Sequence, residues 1–269
     1  MSNPFYWLEI RIRAREKRLW IIALFFLLSV LLFGGGILAI AVVESVARIV
    51  PGDLGKGITT TLLFWHGAIL IVMAPLASAG RLAQEREQRT LPALINTTAD
   101  PRRIVYGKLL GAWTFILWLS ALILPFLAIG AVWGGMPLWK VGAPLVINIL
   151  ISAVLSSVAL GFSGLFGRSL TAYLVAGAFM LAWIVVLPIL GSIGAELCRA
   201  ADVGGARHII EWACFYHHPF YPSILIVSDA WKMEAAQSTL QLAYCLFIWT
   251  LLTGAGIWMA RRGLQKEVF

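Results

Sequence analysis

The chain has 269 residues, of which 60% are hydrophobic and 13% are charged, and its formal net charge is +8. Soluble domains have about a quarter charged residues, so this composition excludes an ordinary soluble enzyme and indicates an integral membrane protein. The basic residues stand at the ends of apolar stretches, as they do when they orient membrane spans, so no nucleic-acid partner is predicted.

Residues 3–18 precede the first apolar stretch and combine aromatic with basic side chains. This composition suits an amphipathic helix in the membrane interface, so an elbow helix is predicted over 3–18. The apolar face is imperfect, because Trp7 and Ile10 fall outside it. The alternative is a basic flank without fixed structure that only orients the first span.

Six apolar stretches are each long enough to cross the hydrocarbon core of a bilayer, which takes about 20 helical residues. The sequence therefore predicts an all-α integral membrane fold with a single transmembrane domain over 1–269. The predicted spans are about 20–43, 57–80, 104–134, 141–167, 169–195 and 238–260.

The segment 196–234 lies between the fifth and sixth spans and is the largest connection on its side of the membrane. Its apolar part is interrupted by two histidines and by Pro219 and Pro222. Such irregular backbone is tolerated at membrane depth only against protein or water, so the segment is predicted to be external or re-entrant. Basic residues are concentrated in the other set of flanks, which predicts a multi-pass protein of the plasma (cytoplasmic or inner) membrane with both termini cytoplasmic.

The uncharged stretches contain no Asp, Glu, Lys or Arg, whereas ion-driven transporters need such groups at membrane depth. His66 is expected to be a packed, hydrogen-bonded residue and not a proton relay. The turn 51–57 has a Gly-Lys pair, but Val50 and Gly57 stand where a phosphate-binding loop needs Gly and Ser or Thr. No catalytic residue and no cofactor site are therefore predicted in this chain.

The four residues Gly161-Phe162-Ser163-Gly164 match the short G-x-S-G pattern and so resemble rhomboid intramembrane proteases. That chemistry needs a base within hydrogen-bond reach of the serine, and the last span contains no histidine. The simpler interpretation is that these small residues form a surface for close packing between helices.

The three cysteines have different surroundings. Cys198 and Cys214 lie in the external segment, where an oxidising environment makes a disulfide between them a candidate. Cys245 lies in the last span and is predicted to pack inside the helix bundle. The cysteines and histidines show no recurring metal-ligand spacing, so no metal site is predicted.

A charged island, Arg81–Lys108, separates the second span from the third. Residues 84–91 favour a helix, and Pro92 is expected to end or kink it near Leu91. Asn96 begins a turn, after which Asp100-Pro101 suits the start of the next helix. A short cytoplasmic helix is therefore predicted over 83–97.

The island carries a resemblance to a known family. Glu85-Arg86-Glu87, Thr90-Leu91 and Leu94 match a pattern E-R-E-x-x-T-L-x-x-L, and a pattern P-x-x-I-V-x-G-K follows from Pro101 to Lys108. This run resembles the membrane subunit of type-2 ABC exporters (ABC-2 exporter permeases), in which the first pattern is the coupling helix and the second begins the third span. The elbow, the six spans and the large fifth connection fit the same family. Pro92 departs from the acidic residue usual at its position.

The resemblance implies the permease subunit of an ATP-driven exporter, which forms the translocation path as a homodimer or heterodimer with a second permease chain. Two copies of a separate cytoplasmic ABC ATPase would bind ATP and Mg, so this chain itself would not be an enzyme. The resemblance assigns the ATPase contact to Glu85, Arg86, Glu87, Arg89, Thr90 and Leu91. The alternative for this island is a solvated connecting helix.

A second function from another class also fits the island. A non-transporting membrane scaffold or assembly factor would use the same helix to recruit a soluble partner. For a transporter, the uncharged spans favour an apolar or amphipathic substrate, and lipid, lipid-linked glycan, peptide and drug all stay open.

Overall fold

The computed structural model describes residues 3–15, 17–45, 51–96, 100–201, 203–216, 218–228 and 235–266. These residues form helices joined by short connections, and the described part of the chain contains no strand. The helices are α1 Pro4–Arg15, α2 Lys17–Ser45, α3 Pro51–Leu76, α4 Arg81–Glu87, α5 Leu91–Asn96, α6 Pro101–Gly134, α7 Leu138–Leu165, α8 Ser169–Ala200, α9 Gly204–Cys214, α10 Tyr221–Val227 and α11 Ala235–Gln265.

Within the described ranges, five helices are long and apolar enough to cross a membrane: α3, α6, α7, α8 and α11. In α2, the apolar stretch Trp20–Phe33 is shorter. The predicted all-α membrane class is confirmed. Both ends of α3 differ from the prediction. The helix begins at Pro51, so the expected turn over 51–57 is instead its first part, and it ends at Leu76, before the expected end of the second span at residue 80. The last turn of α3 contains Pro75, and a turn over 77–80 follows it.

Helix α7 lies at the centre of the bundle and packs against α3, α6 and α11. Large side chains fill its contacts with α3 and α6, among them Leu70, Leu119 and Leu155, which are fully buried. Small residues form its contact with α11. A Cβ added to Gly161 would lie 2.7 Å from the carbonyl oxygen of Gly256, so only glycine allows this approach. In a membrane, lipid is as apolar as a leucine side chain, so burying large apolar side chains between helices gains little. Small residues let two helices approach closely and gain van der Waals contacts instead.

His66 lies in the middle of α3 and is fully buried. Its Nε2 atom is 3.1 Å from the hydroxyl oxygen of Ser120 on α6, and its Nδ1 atom is 3.4 Å from the amide nitrogen of Asn148 on α7. The same amide nitrogen donates to the carbonyl of Leu63 at 2.9 Å. These bonds connect three spans, which agrees with the packed, hydrogen-bonded histidine that the sequence predicts.

The segment after the fifth span turns back into the bundle. Helix α8, which includes a π-helical turn at Ala182–Val186, extends to Ala200, and α9 then runs back against it. The ring of Phe220, just before α10, lies against Gly67 in the middle of α3. The hydroxyl of Tyr221 donates to the side-chain oxygen of Gln241 on α11 at 2.7 Å. This part of the segment is therefore re-entrant in geometry; His217 lies outside the described residues.

Cys198 and Cys214 are both free thiols in this structure, so the candidate disulfide between them is not formed. Cys214 packs against Gly191, and Ile210 packs against Gly194, so α9 is antiparallel to α8. Gly191 precedes Cys198 by two helical turns, or about 10 Å along the axis. A disulfide needs its two Cα atoms within about 7 Å, and the antiparallel arrangement puts Cys214 at the far end from Cys198.

Candidate functional site

The charged island forms two short helices where the sequence predicts one helix over 83–97. Helix α4 ends at Glu87, and Arg89 has a left-handed backbone with φ of 57°. In a continuous helix the ring of Pro92 would collide with the carbonyl of Gln88, one turn earlier, so the helix breaks there and not at Leu91. Pro92 instead occupies the first turn of α5, where its missing N–H is harmless. Residues 97–99 of the predicted helix lie outside the described residues.

Helix α6 begins as the sequence predicts. The carboxylate of Asp100 accepts a hydrogen bond from the backbone N–H of Arg102 at 2.9 Å, and Pro101 occupies the first helical position. An aspartate cap followed by proline is a favourable helix start, because the cap satisfies an N–H that has no partner within the helix.

Helix α1 packs directly on the start of α6. A Cβ added to Gly107 would lie 2.5 Å from the Cβ of Phe5, and one added to Gly111 would lie 2.8 Å from the Cβ of Glu9. Two glycines four residues apart therefore form the groove that seats α1. The side chain of Lys108, between them in sequence, is buried at the same contact.

Lys108 joins α1 to α4. Its ammonium group donates to the carboxylate of Glu9 at 2.9 Å and also to the carboxylate of Glu85. The second oxygen of Glu9 lies 3.7 Å from Arg13 and 3.8 Å from Arg81. We call Glu9, Arg13, Arg81, Glu85 and Lys108 the ionic cluster. It connects the elbow helix, the start of the third span and the island.

Glu9 stays ionised in this setting. Burial raises the pKa of the Glu9 carboxyl, but the charges of Lys108, Arg81 and Arg13 and the hydrogen bond from Lys108 outweigh it, so its pKa lies below the ordinary value. A buried carboxylate is tolerated only with such partners.

Arg86 binds backbone carbonyls of two other helices. One guanidinium nitrogen donates to the carbonyl of Phe166 at 3.0 Å and to that of Ser163 at 3.3 Å, both at the end of α7. The other donates to the carbonyl of Gly263 near the end of α11, at 3.0 Å. The last carbonyls of a helix have no partner within it and carry partial negative charge, so a guanidinium between two such ends stabilises both.

Ser163 receives the beginning of α4. Its hydroxyl oxygen accepts hydrogen bonds from the backbone N–H groups of Leu82 at 2.9 Å and Ala83 at 3.0 Å. The serine of the G-x-S-G pattern therefore caps a neighbouring helix. Two histidines whose side chains the structure describes bond elsewhere: His66 in the bundle, and His218 to the carbonyl of Ile184. The geometry gives no support to the protease alternative.

Glu87 binds the start of α8. Its carboxylate accepts hydrogen bonds from the backbone N–H of Ser169 at 3.0 Å and from the hydroxyl of the same residue at 2.6 Å. These two bonds hold the pKa of Glu87 below its ordinary value. Together with Glu85 and Arg86, three consecutive residues of α4 thus contact four different spans.

The predicted ATPase-contact residues divide into two groups. In the first group, Leu91 is buried in an apolar cluster with Leu82, Ile104 and Leu264. Glu85 and Arg86 point into the protein, and Glu87 is exposed but bonded to Ser169. Arg89 and Thr90 are exposed. They lie among exposed neighbours that we call the outer ridge: Gln88, Arg89, Thr90, Pro92 and Ala93.

Sequence reasoning missed the partners of the island residues. The missed residues are Glu9, Ser163 and Ser169, which lie far from the island in the chain. In the sequence, Ser163 belongs to the protease-like pattern and to the predicted packing surface of small residues, and Lys108 belongs to the family pattern; none of these indicates the bonds that they make. Among the described residues, no group of three or more His, Cys, Asp or Glu side chains is placed to hold a metal ion.

The family profile described as ABC-2 family transporter protein matches residues 4–259. The chain belongs to this family. No curated protein matches it closely enough to serve as a relative. The match begins with α1, includes the island and ends within α11. This ABC-2 chain is therefore a multi-pass membrane component of an ABC transporter and not itself the ATPase.

Proposed function

We propose that this ABC-2 chain is the permease subunit of an ATP-driven exporter, that it works as a dimer with a second permease chain, and that a pair of cytoplasmic ABC ATPase subunits drives it. The observation that carries the proposal is the arrangement of the island. The outer ridge, which lies in the connection after α4 and in the first turn of α5, is exposed, while Glu85, Arg86 and Glu87 on α4 are bonded to the spans.

This arrangement suits the transmission of a movement. Hydrogen bonds to charged groups are stronger than those between neutral groups, and α4 has such bonds to α6, α7, α8 and α11. A displacement of the outer ridge by the ATPase would therefore move the ends of these helices together with α4 and would not simply bend the island. ATP binding and hydrolysis with Mg would occur on the ATPase, and this chain would supply the path.

The proposed dimer would cover apolar faces that the bundle leaves exposed. Helix α8 exposes large apolar side chains along its length, among them Leu170, Leu174 and Leu181. Such faces need lipid or a second permease chain as a covering. The direction of transport, out of the cytoplasm, the inner-membrane location and the cytoplasmic placement of the island rest on the family resemblance and on the distribution of basic residues.

Recovery of the ATPase with the purified permease tests the docking role of the outer ridge. Arg89→Glu combined with Ala93→Arg changes the charge at two exposed positions of the outer ridge. We expect about tenfold weaker ATPase binding, which corresponds to ~1.4 kcal/mol. The matched control is Lys56→Glu, an exposed lysine at the opposite end of the bundle. ATPase recovery equal to that of the control would refute docking at the ridge.

A second pair of variants separates docking from transmission. Glu85→Gln and Arg86→Gln alter bonds within the protein, so we expect ATPase recovery to stay close to wild type while ATP-dependent substrate movement in reconstituted vesicles falls. A membrane scaffold that only recruits a partner would instead show ridge-dependent recovery with no ATP-dependent movement in the wild-type protein.

A further inference from the structure

A cavity of about 670 Å³ opens where α1, the start of α2, the end of α3, α4, α6 and α8 meet. Its polar wall contains the cations of Arg13, Lys17 and Arg81, and no carboxylate is among its lining residues in the described part of the chain. The remaining wall is mainly apolar and includes Ile22 and Phe115. A cationic rim on an apolar chamber fits a ligand that is both anionic and apolar.

The cations of the rim exceed the carboxylates around them. In the ionic cluster, Arg13, Arg81 and Lys108 contribute three positive charges, and Glu9 and Glu85 contribute two negative charges. Lys17 adds one positive charge, so these six described residues carry a net charge of 4 − 2 = +2. An anion at the rim would therefore meet a favourable local field.

The two arginines are held in place at the rim. The carbonyl oxygen of Ala77, just past the end of α3, accepts a hydrogen bond from Arg13 at 3.0 Å and one from Arg81 at 3.3 Å. Because one carbonyl fixes both guanidinium groups, the site is preorganised, and a ligand has less side-chain entropy to overcome on binding.

The depth of the cavity matches the boundary between headgroups and acyl chains. Helix α1 lies against the first turns of the span α6, through the contacts at Gly107 and Gly111, so the rim lies where the apolar bundle begins. A second, mostly apolar cavity of about 250 Å³ shares Arg13 and Phe115 with the first. The walls thus continue from the cations into apolar space.

We propose that this cavity binds an anionic phospholipid from the leaflet on the side of α1 and α4. The phosphate lies between Arg13, Lys17 and Arg81, and an acyl chain follows the wall formed by Ile22 and Leu76. The bound lipid would contact the elbow helix, the island and α8 at once. This site goes beyond the proposed function and does not depend on an ATPase.

Native mass spectrometry of the purified chain in detergent tests the site, with phosphatidylglycerol and phosphatidylcholine of identical acyl chains as probes. We expect preferential retention of phosphatidylglycerol and about fivefold weaker retention after Lys17→Gln, since one basic residue near a membrane surface is worth ~1 kcal/mol. Lys17 is exposed and lies outside the ionic cluster, so this variant should fold. The matched control Lys56→Gln should bind as wild type does. Equal retention of the two lipids, or equal effects of the two lysine variants, would overturn the proposal.

Two further arms distinguish a lipid from a free phosphate. Leu76→Trp narrows the cavity at a half-exposed position without changing charge, and it should weaken phosphatidylglycerol retention if an acyl chain occupies the wall. Millimolar inorganic phosphate should leave lipid retention almost unchanged. Complete displacement by phosphate together with normal retention in Leu76→Trp would identify a free-anion site and would overturn the lipid assignment.

Discussion

Replacement of Lys108 by methionine should be strongly destabilising, because it removes a buried cation that is paired with both Glu9 and Glu85. The Lys108 side chain is 5% exposed, and its ammonium lies 2.9 Å from Glu9 and also bonds to Glu85. Removing one partner of a buried ion pair costs about 3–5 kcal/mol, since the remaining charge has no compensation. We expect a loss in this range in the free energy of unfolding, measured by loss of helical circular dichroism in mixed micelles.

The loss of Lys108 should affect Glu85 more than Glu9. Glu9 keeps Arg13 and Arg81 nearby, whereas Glu85 has Lys108 as its one ion-pair partner among the described residues. Adding Glu85→Gln to Lys108→Met should therefore recover about 1–2 kcal/mol, and the double-mutant cycle isolates this coupling.

The control for this experiment is Lys56→Met, which removes a lysine with an exposed ion pair to Asp53. Exposed pairs contribute about 0–1 kcal/mol. A cost for Lys108→Met no greater than that of Lys56→Met would refute the assignment of Lys108 as the connection between α1 and α4.

Three further predictions concern the bonds of α4. Ser163→Ala should reduce the free energy of unfolding by about 1–2 kcal/mol, because it leaves two N–H groups at the start of α4 without their acceptor; the same unfolding assay measures this, and no change would contradict the cap. Arg86→Lys should cost more than Arg89→Lys, because an ammonium cannot span the carbonyls of α7 and α11 as the planar guanidinium does, and equal costs in that assay would contradict the geometry. The third prediction is a pH dependence at Glu87, whose pKa is below the ordinary 4.5 in the folded state. The contribution of ionised Glu87 to stability is complete above pH 4.5 and is lost as the pH falls through the lowered pKa. The difference in stability between wild type and Glu87→Gln should therefore shrink below pH 4.5 in acid titrations. A difference that grows there would contradict the sign of this effect.

The sequence predicts the features of this chain that depend on local patterns. Long uncharged stretches indicate helical spans, because only helices and closed barrels satisfy the backbone in lipid and a stretch of about 20 apolar residues has the length of a helix and not of a barrel strand. The start of α6 is likewise predictable from a local pattern, since Asp100 and Pro101 are adjacent residues that act on a single helix end. Each of these conclusions needs only residues that are neighbours in the chain.

The direction in which the island side chains point could not be predicted, because it depends on distant partners. Glu85 meets Lys108, 23 residues away, and Arg86 meets Gly263, 177 residues away. A helical repeat of charged residues is compatible with solvent, with a partner protein or with buried ends of other helices. Only the packed arrangement shows that Glu85 and Arg86 point inward.

The sequence predicts a break in the helix of the island but not its position. Pro92 signals a discontinuity, but a proline acts on the turn before it and is itself accepted in the first turn of a new helix. The prediction of an end near Leu91 placed the break at the proline, whereas α4 ends at Glu87 and the left-handed residue is Arg89. This shift is what brings Arg89 and Thr90 to the surface and Leu91 into the core.

Photo-crosslinking in the assembled transporter tests most directly whether the outer ridge meets the ATPase while its neighbours meet the spans. A photoreactive residue is placed singly at 85, 86, 88, 89 and 93, and cross-linked products are identified by mass spectrometry. We predict cross-links to the ATPase subunit from Gln88, Arg89 and Ala93, and cross-links within the permease chain from Glu85 and Arg86. ATPase cross-links from positions 85 and 86 but not from the ridge would contradict the proposed division between docking and transmission.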